Sequence, residues 1–569
     1  MYEGITLSDH HNQNFKVTLE VILYAILLCA GFTLRIGGLG QTGLTDHEAT
    51  YALQAFRLAN YEPTIIGGEP GYISLTTGLF KLFETNNFNA RIISVVFGSL
   101  LILIPALFRK YLGKTPALVL AAFFVFDPGM ITLARTAASS IMAITCFFAG
   151  VGFLIMRRQI LASVSWGLFL SAGSDIWIGA LVFLIIFLSL KPEYDKETER
   201  VHINWLKMII PGAVLFVLIT TQFMTIPSGI SGFGTSLVEY LKSWKQTRQV
   251  TLGLFATQMI LMQLPMLVIG IVGMIKGIVQ KDKIVLILAT WWGLALIPVL
   301  LNPTRNLLQL GWVTLPLLTI VSITVTSFLA KVRFDNPWIG YGQIVFSFFM
   351  FSITFLYLLN VTNFPELDPI LYRNKLLAVF LPLILLAAIT GLFTWGWSSQ
   401  SAKSGLLISL LGLGIMVFLS SGWKATNWTY PSSMSLWNNA HNITGYRILD
   451  NELKDLAKWT NGKDGALHIE VSGISLPSID WTLRQFDQVG YSTQVNKNTT
   501  REVIITSTSL AFEPGASYRG QKIIWSQQPD VSVFTVWDWI KWLIYRDSPV
   551  QTQEIIMWVR NDLFKGVAP

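Results

Sequence analysis

The feature that most constrains this chain is a succession of apolar segments, each long enough to cross a lipid bilayer. They lie near 17–34, 91–108, 116–133, 138–156, 208–225, 253–275, 284–301, 307–330, 338–359, 375–396 and 405–422. A helix needs roughly 20 apolar residues to span the hydrocarbon, because each residue advances about 1.5 Å. Composition agrees: 52% of the 569 residues are hydrophobic and only 13% are charged. An ordinary soluble domain carries about 25% charged residues, so this chain has too little polar surface to face water throughout.

The stretch 160–190 holds roughly 31 apolar residues, too many for one ordinary span and few for two. It is bracketed by Arg157-Arg158 and by the charged run from Lys191 to Lys207. With both flanks on the cytoplasmic side, it becomes a hairpin of two short helices turning near Gly173-Ser174-Asp175. Arg109, Lys110 and Lys114, the pair Arg157-Arg158, the 191–207 loop, Lys276 to Lys283, and Lys331 with Arg333 then share one side. The positive-inside rule makes that side cytoplasmic and gives about thirteen crossings. The N-terminus is expected inside, with the 35–90 loop and everything after Gly422 outside. Met1 to Lys16 is polar and lacks a cleavage-site pattern, so the first apolar segment is expected to be retained.

Beyond residue 422 the pattern changes. Leu467 to Val471 and Glu502 to Ser507 read as short strands, and Asp450 to Trp459 and Ser478 to Phe486 as helices. The expected fold is thus a polytopic α-helical membrane domain over 1–422 with a small extracytoplasmic α/β domain over 423–569. Trp537, Trp539, Trp542 and Tyr545 among Ile540, Leu543 and Ile544 suit either an amphipathic helix at the membrane interface or an aromatic core helix.

The net charge of +8 sits largely in short loops between apolar segments, which is topology. Without clustered bases in a soluble module, a nucleic-acid partner is excluded. Cys29 and Cys146 fall in different apolar segments, against a disulfide framework or a cysteine metal site. No internal repeat of fixed period is present.

The first outer loop concentrates chemistry. Arg35 precedes Gly37-Gly38-Leu39-Gly40, and Thr45-Asp46-His47-Glu48-Ala49-Thr50-Tyr51 follows. Two carboxylates and an imidazole stand together, and a helix starting near Glu48 would put Tyr51 and Ala52 on the same face. A carboxylate there can deprotonate a hydroxyl or hold a metal against a phosphate. The same residues also suit a solvated loop with a helix cap.

Asp46-His47-Glu48-Ala49 with Tyr51-Ala52, then Tyr61, Gly68, Pro70 and Tyr72, then Arg91, Ser94 and Gly98, resemble the N-terminal signature of GT-C glycosyltransferases. The branch resembled is that of the protein O-mannosyltransferases and aminoarabinose transferases. Phe126-Asp127-Pro128 with Ala134-Arg135, and Asn302 to Leu308, resemble later motifs. Trp481-Thr482-Leu483-Arg484, Tyr545-Arg546-Asp547 and Trp558 to Leu563 look like the outer domain of a flippase-associated subgroup.

The resemblance implies transfer of a sugar from a polyprenyl-phosphate donor to a glycan, lipid or protein acceptor at the outer face of the membrane. Asp46, Glu48 and His47 would be catalytic, and Arg35, Tyr51, Arg305 and Asp175 would bind substrate. A divalent metal (Mg or Mn) is a candidate cofactor, on Glu48 or Asp46. The sequence departs from the pattern where His47 occupies the usual aspartate position and Ser139-Ser140 stand where a second acid is usual. Those departures keep open a non-catalytic relative that binds lipid-linked glycan. A transporter is a further alternative, although no paired broken helices in matching halves appear. His441 and His468 are isolated, and three Asn-X-Thr triplets, at Asn427, Asn442 and Asn498, match a pattern short enough to recur by chance.

Overall fold

In a computed structural model of the chain, residues 18–189, 204–246, 251–363, 369–426, 442–462, 465–494, 499–508, 517–545 and 549–564 are described. His441, Arg546, Asp547, the acceptor asparagines Asn427 and Asn498, and most of the 191–207 loop lie outside them.

Apolar helices dominate the first three quarters. Among the described residues seven are long and apolar enough to cross a membrane: Leu19–Ile36 (α1), Asn87–Leu107, Lys283–Leu301, Leu307–Leu329, Pro337–Val361, Arg373–Gly396 and Ser399–Ala425. Two further spans are broken, Lys114–Phe126 from Pro128–Arg135 by a 57° bend and Leu252–Met262 from Leu264–Gln280 by an 87° bend. Each break has a proline in the first turn of the helix that follows it, a position where its missing N–H costs nothing and its ring favours a new helix start. Shorter apolar helices cover Ser140–Ile155, Gln159–Leu170, Ile176–Leu188 and Trp205–Thr220. Length and composition alone thus give seven to nine spans, and the expected count of thirteen is not fixed by them.

The 160–190 stretch does form two helices, turning at Gly173, whose φ is +96°. A Cβ there would lie 2.6 Å from the Gly68 carbonyl oxygen, so both backbone conformation and space demand glycine. Beneath this turn the membrane core is aromatic. The Phe147 ring lies within 5.7 Å, centroid to centroid, of Phe148, Phe169, Phe183, Trp291 and Trp312.

Between the first two long spans, the outer loop is mostly helical: α2 (Asp46–Ala59) and α3 (Pro70–Leu82), followed by α4 (Asn87–Leu100), which continues to Leu107. The C-terminal region carries a six-stranded mixed sheet: β1 (Asn442–Ile443), β2 (His468–Ser472), β3 (Gln488–Ser492), β4 (Val503–Ser507), β5 (Tyr518–Pro529) and β6 (Val550–Arg560). The order is β1-β5-β6-β4-β2-β3, parallel where β2 meets β3 and β4 and antiparallel elsewhere. Helix Pro477–Leu483 supplies the crossover that parallel β2 and β3 require. β2, β4 and the helices Tyr446–Asn461 and Pro477–Leu483 match the expected elements, whereas β5 and β6 were not expected. The tryptophan-rich segment is helical over Val536–Tyr545 and inserts Trp542 into the membrane core cluster, beside Trp539 and Leu543.

Candidate active site

Thr45 begins the site. Its side chain caps α2 by accepting from the Glu48 N–H, while the Glu48 carboxylate accepts from the Thr45 N–H at 2.9 Å, a reciprocal capping box. Glu48 is 2% exposed, and its remaining acceptor capacity is taken too. Arg91 on α4 donates to it twice, Nε and Nη2 each at 2.8 Å, and the Ala137 N–H donates at 2.7 Å. Burial alone would raise the Glu48 pKa, but the Arg91 guanidinium and these bonds outweigh it and hold the carboxyl below its ordinary value. The rest of the Arg91 guanidinium bonds the carbonyls of Leu39, Thr42 and Gly43, which fixes the turn after α1.

Asp46, two residues earlier and so on nearly the opposite face of the helix, points elsewhere. Its carboxylate accepts from the Ser478 N–H at 3.0 Å, at the start of helix Pro477–Leu483. The same helix buries Trp481 completely, stacked on Phe80 of α3 and donating from Nε1 to Asn87 Oδ1 at 2.7 Å. Arg484 lies over the Trp481 ring at 3.8 Å and donates to the Thr85 carbonyl. The C-terminal sheet region is thereby seated directly on α2, α3 and the start of α4.

His47 has an accessible ring, packed edge-on against Tyr51 at 5.2 Å. Protein surrounds it nonetheless: burial lowers its pKa, opposed by the carboxylates of Asp175 and Glu48. Burial and the acids Glu69, Glu239 and Asp175 likewise push the Tyr51 phenol well up.

Glu69 is the acid that sequence reasoning missed. It is 3% exposed and precedes α3 in Gly67-Gly68-Glu69-Pro70-Gly71. One oxygen accepts from the Ser139 N–H at 2.9 Å, the Ser139 side chain also favours the charged form, and among the described residues no cation pairs with it. Burial first, then the Asp175 carboxylate and more weakly Glu239, push its pKa up to about 8. Gly71 explains the approach: its N–H donates to the Ser171 carbonyl at 2.7 Å, and a Cβ would lie 2.8 Å from that oxygen. Only a glycine lets the 67–71 segment lie against the hairpin turn that carries Asp175. The local signal was the acid itself, flanked by Gly68 and Pro70, two of the residues that carry the resemblance.

Asp175 is buried at that turn. Its carboxylate accepts from the Ser140 hydroxyl and from Gln309 Nε2 at 3.3 Å, and its carbonyl accepts from Trp312 Nε1 at 2.9 Å. Ser140, where a second acid was expected, therefore binds an acid delivered by the hairpin. The loop before Gln309 carries Arg305, which is buried with φ +43°. Asn302 ties that loop to helix Ser231–Ser243 by a 2.7 Å bond to Ser243. On the same helix, Glu239 meets the Gly68 N–H. Arg35 is wholly buried and donates to the carbonyls of Gly31 and Phe124, at 2.9 and 2.6 Å, inside the helix bundle.

The structure thus gathers His47, Tyr51, Glu69 and Gln309 around Asp175, while Glu48, Asp46 and Arg35 bond into the surrounding frame. Among the described residues no group of three or more His, Cys, Asp or Glu side chains is placed to hold a metal ion. The residues present do not fit the divalent metal entertained on Glu48 or Asp46, whose carboxylates bond Arg91 and Ser478.

No family model matches the chain, and no curated protein sequence is significantly similar to it. Solved structures are. ArnT from Cupriavidus metallidurans bound to undecaprenyl phosphate superposes with a TM-score of 0.57 at 14% identity, over 96% of this chain and 99% of that one. The apo state of the same protein gives 0.54 at 14% identity, over 96% and 98%. The chain has the GT-C fold. With that fold and its apolar helices it is a multi-pass integral membrane protein. The Archaeoglobus fulgidus oligosaccharyltransferase with a tethered acceptor peptide is a weaker likeness, TM-score 0.45 at 12% identity over 84% of this chain and 64% of that one, and bears on nothing below.

Proposed function

We propose that this chain is a membrane glycosyltransferase that moves a sugar from a polyprenyl-phosphate carrier to an acceptor hydroxyl at the outer face of the membrane. One observation carries the reading: a buried acid, Glu69, faces a second, Asp175, which His47 also neighbours, on a GT-C fold. The likeness to a protein crystallised with undecaprenyl phosphate supports the carrier. In this mechanism the acceptor oxygen attacks the anomeric carbon while the carbon–oxygen bond to the carrier phosphate breaks, and the phosphate leaves with the bonding electrons. The acceptor proton passes to the ionised Glu69 carboxylate, whose pKa of about 8 suits a base working near neutral pH. Asp175, fixed by Ser140 and Gln309, raises that pKa and accepts a hydrogen bond from acceptor or sugar. Neutral His47 hydrogen-bonds the sugar. Arg305 faces the leaving phosphate, which a guanidinium matches in charge and geometry. Glu48 and Arg91 hold α2 in place, and no step is routed through a metal.

In this reading the N-terminus is cytoplasmic, and the α/β domain after residue 422 is extracytoplasmic and supports the acceptor side. A second reading, a non-catalytic binder of lipid-linked glycan, draws on the full engagement of Glu48, which leaves the family's first acidic motif without a free base. The experiment is transfer of labelled sugar from a pool of polyprenyl-phosphate donors by the purified protein in lipid, with and without divalent metal. Transfer is expected. Donor binding without transfer across a broad pool would favour the second reading, and no binding of any donor would sink both.

A further inference from the structure

A cavity lies away from the acid pair and shares none of its residues. It has a volume of about 610 Å³ and is bounded by the outer halves of Pro337–Val361 and Ser399–Ala425, by both helix breaks, and by Leu543 of the Val536–Tyr545 helix. That volume falls within the ~300–1,000 Å³ range of cavities that hold organic ligands. Its walls are apolar: Phe351, Phe355, Leu413, Met416 and Leu543 are among them. A water molecule needs two to four polar partners, and walls like these supply few. The two long helices are mostly uncovered by other protein, so in a bilayer this side meets hydrocarbon.

Polar groups are confined to a few positions. Asp127 is turned to its own helix, accepting from the Met130 N–H at 2.9 Å, and Gln263 Nε2 donates to Thr314 at 2.5 Å. Lys424, in the last turn of Ser399–Ala425, is the cation of the lining and is exposed. An apolar space with a cation at the helix end has the charge and hydrophobic layout that a phospholipid complements. Its acyl chain would fill the space while its phosphate meets the ammonium.

We propose that this cavity holds one acyl chain of an anionic phospholipid from the surrounding leaflet, with the headgroup phosphate at Lys424. The lipid wedges between the terminal helices and the two breaks, filling a void that close-packed protein does not leave empty. The proposal needs only that the chain sits in a membrane, and stands apart from the transfer chemistry.

The test uses full-length protein in nanodiscs containing phosphatidylglycerol with a photoreactive acyl chain, mapping the labelled peptides by mass spectrometry. Labelling is expected in the 348–358 and 413–424 segments. It should fall at least five-fold in Leu413→Trp and in Thr354→Trp, which fill the space, with thermal unfolding confirming that each variant is folded. Lys424→Gln should weaken labelling by phosphatidylglycerol more than by a photoreactive phosphatidylcholine. Unchanged labelling in both folded filling variants would overturn the site. Labelling displaced by an equimolar polyprenyl phosphate but untouched by excess phospholipid would overturn the occupant.

Discussion

Glu48 and Glu69 are both buried glutamates in the first outer loop, yet their surroundings are opposite. Glu48 lies against a fork of two guanidinium N–H groups and two backbone amides, so its charge is neutralised and its lone pairs are spent. Glu69 has one backbone amide and faces two other acids, so its charge is opposed. A satisfied buried ion organises structure. A buried acid held near its neutral form keeps a proton that it can exchange, and such sites concentrate where chemistry happens.

The sharpest way to break this contrast is to neutralise each acid in turn. Glu69→Gln replaces the protonated acid by a neutral group of the same shape. Transfer is expected to fall by ~10²–10⁴-fold, the usual contribution of a general base, while the melting temperature holds or rises. Wild-type turnover in this variant would remove Glu69 from the mechanism. Glu48→Gln is expected to behave the other way round. It strands a buried guanidinium, a loss of about 3–5 kcal/mol for a broken buried pair, and should show first as a lower melting temperature. Arg91→Met added to Glu48→Gln should recover part of that loss, and a double variant less stable than the single one would contradict the assignment.

A third effect is read from pH. If Glu69 is the base, kcat/KM should rise about ten-fold per unit below its pKa and level off above about 8, and the limb should vanish in Glu69→Gln. The stability sign follows from the same shift. A carboxyl whose pKa rises from 4.5 to about 8 on folding binds more protons folded than unfolded. Its contribution is complete below the unfolded value and is lost as pH climbs through about 8, so wild-type melting temperature should decline across that window more than that of Glu69→Gln. The smallest effect is expected of Asp46→Asn. It removes a charge at a helix start but keeps an oxygen for the Ser478 N–H, so stability should drop by less than about 1 kcal/mol with turnover nearly intact. A loss matching that of Glu69→Gln would restore Asp46 as a catalytic acid.

The membrane architecture was legible because a span writes its whole length into consecutive residues, and the hairpin at Gly173 to Asp175 could be read from length and flanking charge. Strands β2 and β4 showed their clustered β-branched residues. β5 did not: glycine, lysine and glutamines interrupt it, and its register against β6 shifts between Ile524 and Ser526. β6 does carry Val550, Thr552, Ile555, Ile556 and Val559, but glutamines and Glu554 break up its first half. The first acidic cluster drew attention because Asp46, His47 and Glu48 are contiguous. Their partners Ser478, Asp175 and Arg91 are remote in sequence, so which acid is occupied and which is free could not be seen. Glu69 was hidden for the same reason, since its character comes from a hairpin turn about a hundred positions away that glycines allow it to touch.

The seat of Asp46 on Ser478 joins positions 432 residues apart. A ribosome adding ~5–20 residues per second needs on the order of tens of seconds to bridge that interval. Throughout it, Phe80 and Asn87 wait without the Trp481 ring that later covers them. The nascent chain can place its early helices in the bilayer while its outer frame is still unfinished. The contacts that Asp46, Phe80 and Asn87 make with Ser478 and Trp481 can therefore form only once residues 478–481 have been made.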